Sequence, residues 1–153
     1  VIALGSITTA YGSIKHIVEV ARDACPDALI VLGGGVLTSL PREVMGFLPQ
    51  VDVGVIGEAF VTFPEILRMV DEGKSNWPMI LGTISRDGEG NLVMAGQRPL
   101  IQDLDSLPYP AWDLFPLEEI VDPLGGLEEG LWRGDDKPVH LQVEAAHERH
   151  QRL

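Results

Sequence analysis

The sequence predicts a partial, doubly wound α/β fold whose parallel sheet is followed by a β-hairpin and an extended acidic linker. The first observation is a set of short apolar runs without alternation, as expected of strands covered on both faces: residues 1–4, 29–32 and 53–56. The second is the helical spacing of the apolar residues that follow each run. The third is glycine at or near the end of each run. Repeated units of this kind predict right-handed crossovers and a parallel sheet.

The first predicted helix has one apolar stripe and one charged face. The stripe residues recur at steps of three or four: Ile14, Ile17, Val18, Ala21 and Ala24. The charged residues between them are predicted to face water: Lys15, Glu19, Arg22 and Asp23. Pro26 and Asp27 are expected to end this helix.

Two further helices are predicted from their start and stop signals. Thr38 or Ser39 can cap a short helix that begins near Pro41. Residues 62–65, Thr-Phe-Pro-Glu, have the spacing of a capping box, and an apolar face continues from there to Gly73.

The pattern changes after the third helix, and four segments are predicted. Residues 79–85 and 92–95 are short strand candidates around the loop 86–91, which indicates an antiparallel hairpin. Pro108 and Pro110 restrict the residues before them to extended geometry. The segments are a partial α/β domain at 1–75, a β-hairpin extension at 76–102, a Pro/Gly/acidic linker at 103–136, and at 137–153 the remnant of a further domain's first strand or a disordered tail.

Composition limits the possible partners. The 153-residue chain has 11 basic and 23 acidic residues, a formal net charge of -12, which repels phosphate backbones and anionic surfaces. The single cysteine, Cys25, excludes an internal disulfide framework and any cluster held by several thiolates of this chain. No apolar run has the length of a membrane span. We therefore expect a cytoplasmic protein with no nucleic-acid partner and no membrane span.

Candidate binding residues follow the three predicted strands, because a parallel sheet binds ligands outside the carboxyl ends of its strands. Ser6 and Thr8 offer hydroxyls after the first strand, and bare backbone at Gly33 and Gly34 follows the second, with Thr38 close behind. Gly57 and Glu58 follow the third strand.

Each of these features also has a purely structural explanation, which remains open. Glycine at a strand end can serve only to start a helix tightly, and Thr8, Thr9 or Thr38 can be a helix cap. Glu58 can interact with the amides of a helix start. No dinucleotide fingerprint, Walker sequence or Gly-x-Ser-x-Gly elbow is present, so no catalytic residue is assigned.

The order and spacing of these motifs resemble the cobalamin-binding domain of cobalamin-dependent radical S-adenosylmethionine proteins, which include anaerobic magnesium-protoporphyrin ester cyclases and methyltransferases. The resemblance runs from the first residue to about residue 123 and is carried by these segments: Gly5-Ser6-x-Thr8, residues 30–38, residues 51–58, residues 62–66 and the linker Asp-Leu-Asp-Ser-Leu-Pro-Tyr-Pro-Ala-Trp-Asp-Leu at 103–114. It implies a flavodoxin-like sheet in which residues 1–4 belong to the third strand.

The resemblance also implies a cofactor and roles for the candidate residues. Ser6 and Thr8 would hydrogen-bond to the dimethylbenzimidazole tail of cobalamin, Gly33 and Gly34 would admit its ring, and Thr38 would face its ribose or phosphate. Gly57 and Glu58 would complete the cofactor site. S-adenosylmethionine and a 4Fe-4S cluster, with their radical barrel, are implied only for a full-length parent chain.

Three departures from the family pattern stand out. The Asp-x-His-x-x-Gly motif that some cobalamin domains use to bind cobalt is absent, and Gly57-Glu58-Ala59-Phe60 stands where Gly-Glu-Gly-Glu is usual. Residues 139–143 resemble the first strand of the radical barrel, yet no Cys-x-x-x-Cys-x-x-Cys loop follows. His147, His150 and Glu144 have zinc-ligand types, but a charged, exposed terminus is the preferred explanation, so no metal site is assigned.

Two functions from different classes therefore remain. The first is a module that holds the cofactor tail for a parent enzyme performing methyl transfer, radical rearrangement or cyclisation. The alternative is a non-catalytic α/β interaction or regulatory domain that has lost cobalamin. Retained affinity for cobalamin discriminates between them.

Overall fold

A computed structural model describes residues 1–111 and residue 114. The chain divides into two compact units, Val1–Ile101 and Gln102–Leu153. In the described part of the second unit, the Asp103 carboxylate accepts a hydrogen bond from the Asp105 N–H at 3.1 Å and caps a 3-10 helix, Leu104–Ser106. The rest of the predicted linker, at 112–113 and 115–136, lies outside the described residues. The predicted segment at 137–153 lies outside them as well.

The predicted parallel strands are confirmed. They are β1 (Ile2–Gly5), β2 (Ile30–Gly33) and β3 (Val53–Val55), which lie side by side in chain order. β1 and β2 pair in parallel with Ile2 opposite Ile30 and Gly5 opposite Gly33. β2 and β3 pair in parallel from Val31 opposite Val53. The ends of all three strands therefore meet at one edge of the sheet, here called the carboxyl edge.

The predicted hairpin is also confirmed, and it continues the same sheet. Its strands are β4 (Thr83–Arg86) and β5 (Leu92–Met94), and β4 pairs antiparallel with β3, so the described strands form a five-stranded mixed sheet. The Arg86 guanidinium donates to the carbonyls of Val51 at 2.7 Å and Met45 at 2.5 Å and so ties the hairpin to the rest of the unit. Strand order does not reverse among the described strands.

Among the described residues, four α-helices cover the two faces of this sheet. They are α1 (Tyr11–Ala24), α2 (Gly35–Ser39), α3 (Pro41–Phe47) and α4 (Ala59–Asp71). Ile14 and Val18 of α1 pack with Ile30 and Leu32 of β2 in a core that also holds buried residues of α2 and α3. Ile66 of α4 lies in a second core on the opposite face, built on Val31, Val53 and Val55. Each such fully buried aliphatic side chain contributes about 1.5–3 kcal/mol.

The helix caps differ from the sequence prediction. α1 is preceded by Ala10 and α3 by Leu40, and neither start has a side-chain cap. α2 was not predicted, and Thr38 and Ser39 lie within it. No threonine hydroxyl caps any of these helix starts, so the capping explanation for these threonines is wrong.

The predicted capping box is also wrong. α4 begins four residues earlier than predicted, at Ala59 with Glu58 before it, so Thr62 and Pro64 lie inside the helix. Thr62 is fully buried and its hydroxyl donates to the Leu81 carbonyl at 3.2 Å. The predicted end is confirmed, because Gly73 adopts a φ of 67° just beyond the helix.

Arg22, predicted to face water, instead fixes the opposite edge of the sheet, here called the amino edge. Its guanidinium donates to the carbonyls of Ala28 and Gln50, both at 2.9 Å, and forms an ion pair with Asp52 at 2.6 Å. The same Asp52 carboxylate accepts from the Ile30 N–H at 2.7 Å. One half-buried network therefore ties the ends of α1, β2 and β3 together.

Within the part of the chain that the structure describes, no helix has the length and apolar character needed to cross a membrane.

Candidate functional site

The predicted site residues follow the parallel strands, and the structure brings most of them to the carboxyl edge. Ser6 comes directly after β1, Gly33 ends β2, and Gly57 and Glu58 follow β3. Because the three strands are parallel neighbours, these positions lie along one line at the edge of the sheet.

The loop after β1 contacts the glycine run after β2 directly. The Ser6 N–H donates to the Gly33 carbonyl at 3.3 Å, and the Ser6 carbonyl accepts from the Val36 N–H at 3.2 Å. Gly34 has a φ of +86°, and a Cβ there would lie 2.5 Å from the Ser6 carbonyl oxygen. The chain itself therefore requires glycine at position 34, and the missing side chain no longer argues for a ligand there. Contact between Gly34 and a ligand stays a prediction.

Gly5 and Gly33 have no such internal explanation. They lie directly opposite each other in the β1–β2 register. A Cβ on Gly5 would meet no atom within 4 Å, and a Cβ on Gly33 would meet only Val55, at an ordinary 3.8 Å. Two neighbouring strands therefore end in a strip of bare backbone. Internal packing leaves room for side chains at both positions of this strip. Such a strip lets a flat group approach closely.

The two predicted hydroxyls near β1 differ in their surroundings. Ser6 is half-buried, and its hydroxyl donates to the Ile7 carbonyl at 3.0 Å, so its lone pairs can still accept from a ligand. Thr8 is exposed in the short 3-10 helix Thr8–Ala10, and its side chain makes no hydrogen bond to any described residue. No described contact joins Thr8 to the other candidate residues.

Thr38 connects the ends of β2 and β3. Its hydroxyl accepts from the Gly57 N–H at 3.0 Å, and its own N–H donates to the Gly34 carbonyl at 3.0 Å. Gly57 has a φ of +76°, which favours glycine. Thr38 is therefore hydrogen-bonded both to the segment that follows β2 and to the segment that follows β3.

Glu58 directly precedes α4 but does not cap it. Its backbone is extended, with φ -78° and ψ 132°, and its side chain makes no cap hydrogen bond. The residue is exposed, and no described residue forms a hydrogen bond or an ion pair with its carboxylate. The explanation as a helix-entry acid bound to nearby amides therefore has no support in the geometry.

A groove with a volume of about 300 Å³ lies at the β3 end of the carboxyl edge. Thr38, Gly57 and Glu58 line one side of it, as members of the predicted site. The other contributors were not predicted from the sequence: Ile56, Val61, Gly82 and residues 94–101.

The unpredicted wall comes from the hairpin. Because β4 runs antiparallel to β3, Gly82 at its start lies at the carboxyl edge, and the end of β5 returns there too. The Gly82 carbonyl accepts from the Ile56 N–H at 2.8 Å, and the Gly82 N–H donates to the Gly96 carbonyl at 2.9 Å. The sequence predicted the hairpin but not its pairing with β3, and this wall of the groove depends on that pairing.

Comparison with known sequences finds relatives among methyltransferases and cyclases. The chain is 29% identical over 119 residues to an uncharacterized methyltransferase of Pyrococcus horikoshii, PH0819, a match covering 78% of this chain and 26% of the relative. It is 29% identical over 128 residues to the anaerobic magnesium-protoporphyrin IX monomethyl ester cyclase of Cereibacter sphaeroides, covering 82% and 21%. The corresponding cyclase of Rubrivivax gelatinosus is 25% identical over 123 residues, covering 79% and 22%.

These relatives confirm the resemblance that the sequence motifs carry. The chain spans only 21% to 26% of their own lengths. No family model matches the chain.

Comparison of structures confirms the fold class. The radical S-adenosylmethionine methyltransferase TsrM from Kitasatospora setae, solved with cobalamin and a [4Fe-4S] cluster bound, superposes with a TM-score of 0.55 at 19% identity, over 69% of this chain and 20% of that one. TsrM solved with tryptophan and a S-adenosylmethionine analog gives a TM-score of 0.54 at 20% identity, over 61% and 18%. The described sheet with its flanking helices therefore has the Rossmann-like architecture of part of that enzyme.

Proposed function

We propose that this chain is a cobalamin-binding module that holds the nucleotide tail of the cofactor at the carboxyl edge and does no chemistry alone. The observation that carries the proposal is the bare strip formed by Gly5 and Gly33, opposite each other in register and not required by internal packing. Ser6 lies next to this strip, so a ring placed on the glycines would have a hydroxyl at its border.

The residues present fit such a cofactor tail in three respects. A dimethylbenzimidazole ring is flat and needs backbone without side chains, which Gly5 and Gly33 provide. The ribose and phosphate need hydrogen-bond donors, and the hydroxyl of Thr8 is exposed. Ser6 can accept a hydrogen bond through its lone pairs. Gly34 contributes indirectly, by letting the loop of Ser6 approach β2.

The relatives and the fold neighbour support the same assignment. TsrM has cobalamin bound in a structure whose fold this chain shares in part, and the cyclases and the methyltransferase are similar in sequence over more than three quarters of this chain. In a parent chain as long as those relatives, the module would present cobalamin to a radical S-adenosylmethionine barrel with its 4Fe-4S cluster, for methyl transfer, rearrangement or cyclisation. The cofactor would supply the methyl-transfer or radical chemistry. The parent would act in the cytoplasm.

The proposal is tested by covering the bare strip without disturbing the fold. Gly5→Val adds a β-branched side chain where no atom lies within 4 Å, and valine favours strands. We expect the 153-residue chain to bind hydroxocobalamin, measured by equilibrium dialysis with visible absorbance, and Gly5→Val to weaken that binding at least about tenfold by exclusion. Ser6→Ala removes one hydrogen bond and should weaken binding by up to about tenfold.

Gly46→Val is the matched control. A Cβ at Gly46 also meets no atom within 4 Å, but the residue lies in α3 and not at the strand ends. Affinity in this variant should equal that of the parent sequence. Unchanged affinity in Gly5→Val would refute the tail assignment. If the unaltered chain bound no cobalamin, the alternative of an interaction domain that has lost the cofactor would be favoured.

A further inference from the structure

The outer wall of the groove is fixed to α4 by one arginine. The Arg98 Nε donates to the Thr62 hydroxyl at 2.8 Å and to the Leu81 carbonyl at 3.2 Å. Its guanidinium also pairs with the Glu65 carboxylate. Thr62 is fully buried, and the side chain of Arg98 is only 18% exposed. Residues 94–101 are therefore held in one position.

This contact gives the sequence motif at 62–65 a role other than capping. Thr62 and Glu65 are three residues apart in α4, so both lie on the helix face that meets Arg98. An arginine presents several donors in a rigid plane, which suits simultaneous bonds to a hydroxyl, a carbonyl and a carboxylate. Because its Nε and one of its Nη atoms donate in this way, Arg98 is held in one orientation beside the groove.

The groove itself combines apolar walls with a few polar side chains, those of Thr38, Glu58, Gln97 and Arg98. Its apolar lining includes Ile56, Val61 and Met94. At its rim, the Glu58 carboxylate has no partner among the described residues. The Thr38 hydroxyl accepts from Gly57 but donates to no described residue, so its own hydrogen is available. Ligand sites typically have this composition, apolar with a few convergent polar groups.

These groups select a ligand class. An unpaired carboxylate, in a chain of net charge -12, disfavours an anion and favours a hydrogen-bond donor. A primary carboxamide carries the complementary groups for both, because its N–H can donate to a carboxylate such as that of Glu58 and its carbonyl can accept from a hydroxyl such as that of Thr38. The apolar walls suit a hydrocarbon frame that carries such an amide.

We propose that this groove binds a carboxamide side chain at the edge of the corrin ring, with Glu58 as acceptor, Thr38 as donor and Arg98 as a positioning residue. The inference rests on the proposed function, since the same cofactor would place its tail on the Gly5 and Gly33 strip. Thr38 joins the two places, because it is bonded to Gly34 on one side and to Gly57 on the other. A free small amide would have the same chemistry, and the experiment separates the two sources.

The test uses cobinamide, which keeps the corrin ring and its carboxamides but lacks the nucleotide tail. Binding of cobinamide and of hydroxocobalamin to the 153-residue chain is measured by equilibrium dialysis. We expect Glu58→Ala to weaken cobinamide binding about tenfold or more, because a hydrogen bond to a charged group is lost, and Glu58→Gln to have a smaller effect. Gly5→Val should weaken hydroxocobalamin and leave cobinamide unchanged.

Glu43→Ala is the matched control for loss of one negative charge. Glu43 is exposed on α3 and does not line the groove, so both affinities should equal those of the unaltered chain. Unchanged cobinamide affinity in Glu58→Ala would overturn the groove assignment, and a retained effect of Gly5→Val on hydroxocobalamin would leave the proposed function intact. Shifts of the Gly57 and Gly82 amide resonances with propionamide, without any binding of cobinamide, would assign the groove to a free amide and overturn the corrin assignment.

The positioning role of Arg98 is tested by the difference between the two corrinoids. Arg98→Gln loses the pair with Glu65 and should weaken cobinamide more than hydroxocobalamin, which keeps its tail contacts. Arg98→Lys keeps the charge and should restore part of the cobinamide affinity. Equal losses for both ligands, in proportion to a lowered melting temperature, would show a merely structural role and overturn this assignment.

Discussion

Replacing Gly34 with alanine should destabilise the α/β unit strongly, whereas the same replacement at the neighbouring Gly33 should have little effect. Gly34 has φ +86° and ψ -176°, a backbone conformation that only glycine adopts readily. Its missing Cβ would lie 2.5 Å from the carbonyl oxygen of Ser6 and 2.7 Å from its nitrogen. At Gly33 a Cβ would lie 3.8 Å from Val55, an ordinary contact.

The size of the effect at Gly34 has two parts. Backbone strain for a residue with a side chain costs about 1–3 kcal/mol. Relief of the clash would separate the Ser6 loop from β2 and break its two hydrogen bonds, to Gly33 and from Val36, each contributing about 0.5–1.5 kcal/mol. We therefore expect a loss of about 2–6 kcal/mol, compared with at most about 1 kcal/mol in either direction for Gly33→Ala.

Urea denaturation followed by far-ultraviolet circular dichroism measures this difference. With a slope of about 1–3 kcal/mol per molar urea, a loss near 3 kcal/mol lowers the midpoint by about 1–3 M. Similar midpoints for the two variants would refute the reasoning, because they would mean that the Ser6 loop moves freely away from Gly34. That result would also remove the internal explanation for glycine at position 34, so contact with a ligand would again explain it.

Three further variants test other parts of the unit. Gly54→Ala places a Cβ 2.6 Å from a methyl group of Ile84 and 2.7 Å from a methyl group of Leu37. Overpacking should lower stability by about 1–3 kcal/mol in the same urea assay, and an unchanged midpoint would contradict this. Ser85→Ala removes a buried hydroxyl that has no partner in the described structure, so stability should be unchanged or higher, and a clear loss would contradict this. A hydrogen bond from the Asn91 N–H at 2.8 Å holds the pKa of Asp87 below its usual 3.8. The hairpin turn should therefore be fully stabilised above pH 3.8 and loosen as the pH falls below it, which the chemical shift of the Asn91 amide measures. Asp87→Asn should abolish this acid dependence of the amide shift.

Local patterns in the sequence predicted the strands and helices well. The apolar run at 1–4 corresponds to β1 and the run at 29–32 to β2, each displaced by one residue. The predicted burial on both faces is confirmed for β2 and is wrong for β1, in which Ala3 and Gly5 are exposed. The caps were not predictable in the same way. Leu40 precedes α3 without a capping side chain, and the short helix α2 begins directly at Gly35. A helix start can be determined by the backbone path between strands, which local residue preferences do not record.

The candidate site was predictable in part. The juxtaposition of Ser6 with Gly34 followed from placing two parallel strand ends side by side, and the structure has that contact. The reason for glycine at 34 was not predictable, because it depends on a distance between segments far apart in sequence. The groove wall with Arg98 was missed for the same reason, since it exists only when β4 pairs with β3.

The two edges of the sheet are built from different kinds of group. Side chains fix the amino edge, where Arg22 and Asp52 bind each other and the surrounding backbone. Backbone contacts fix most of the carboxyl edge, where the exposed side chains of Thr8, Thr38 and Glu58 make few internal bonds. Substitutions at Thr8 and Glu58 should therefore leave the frame in place, so these two positions can be randomised and selected for binding to other ligands on an unchanged scaffold.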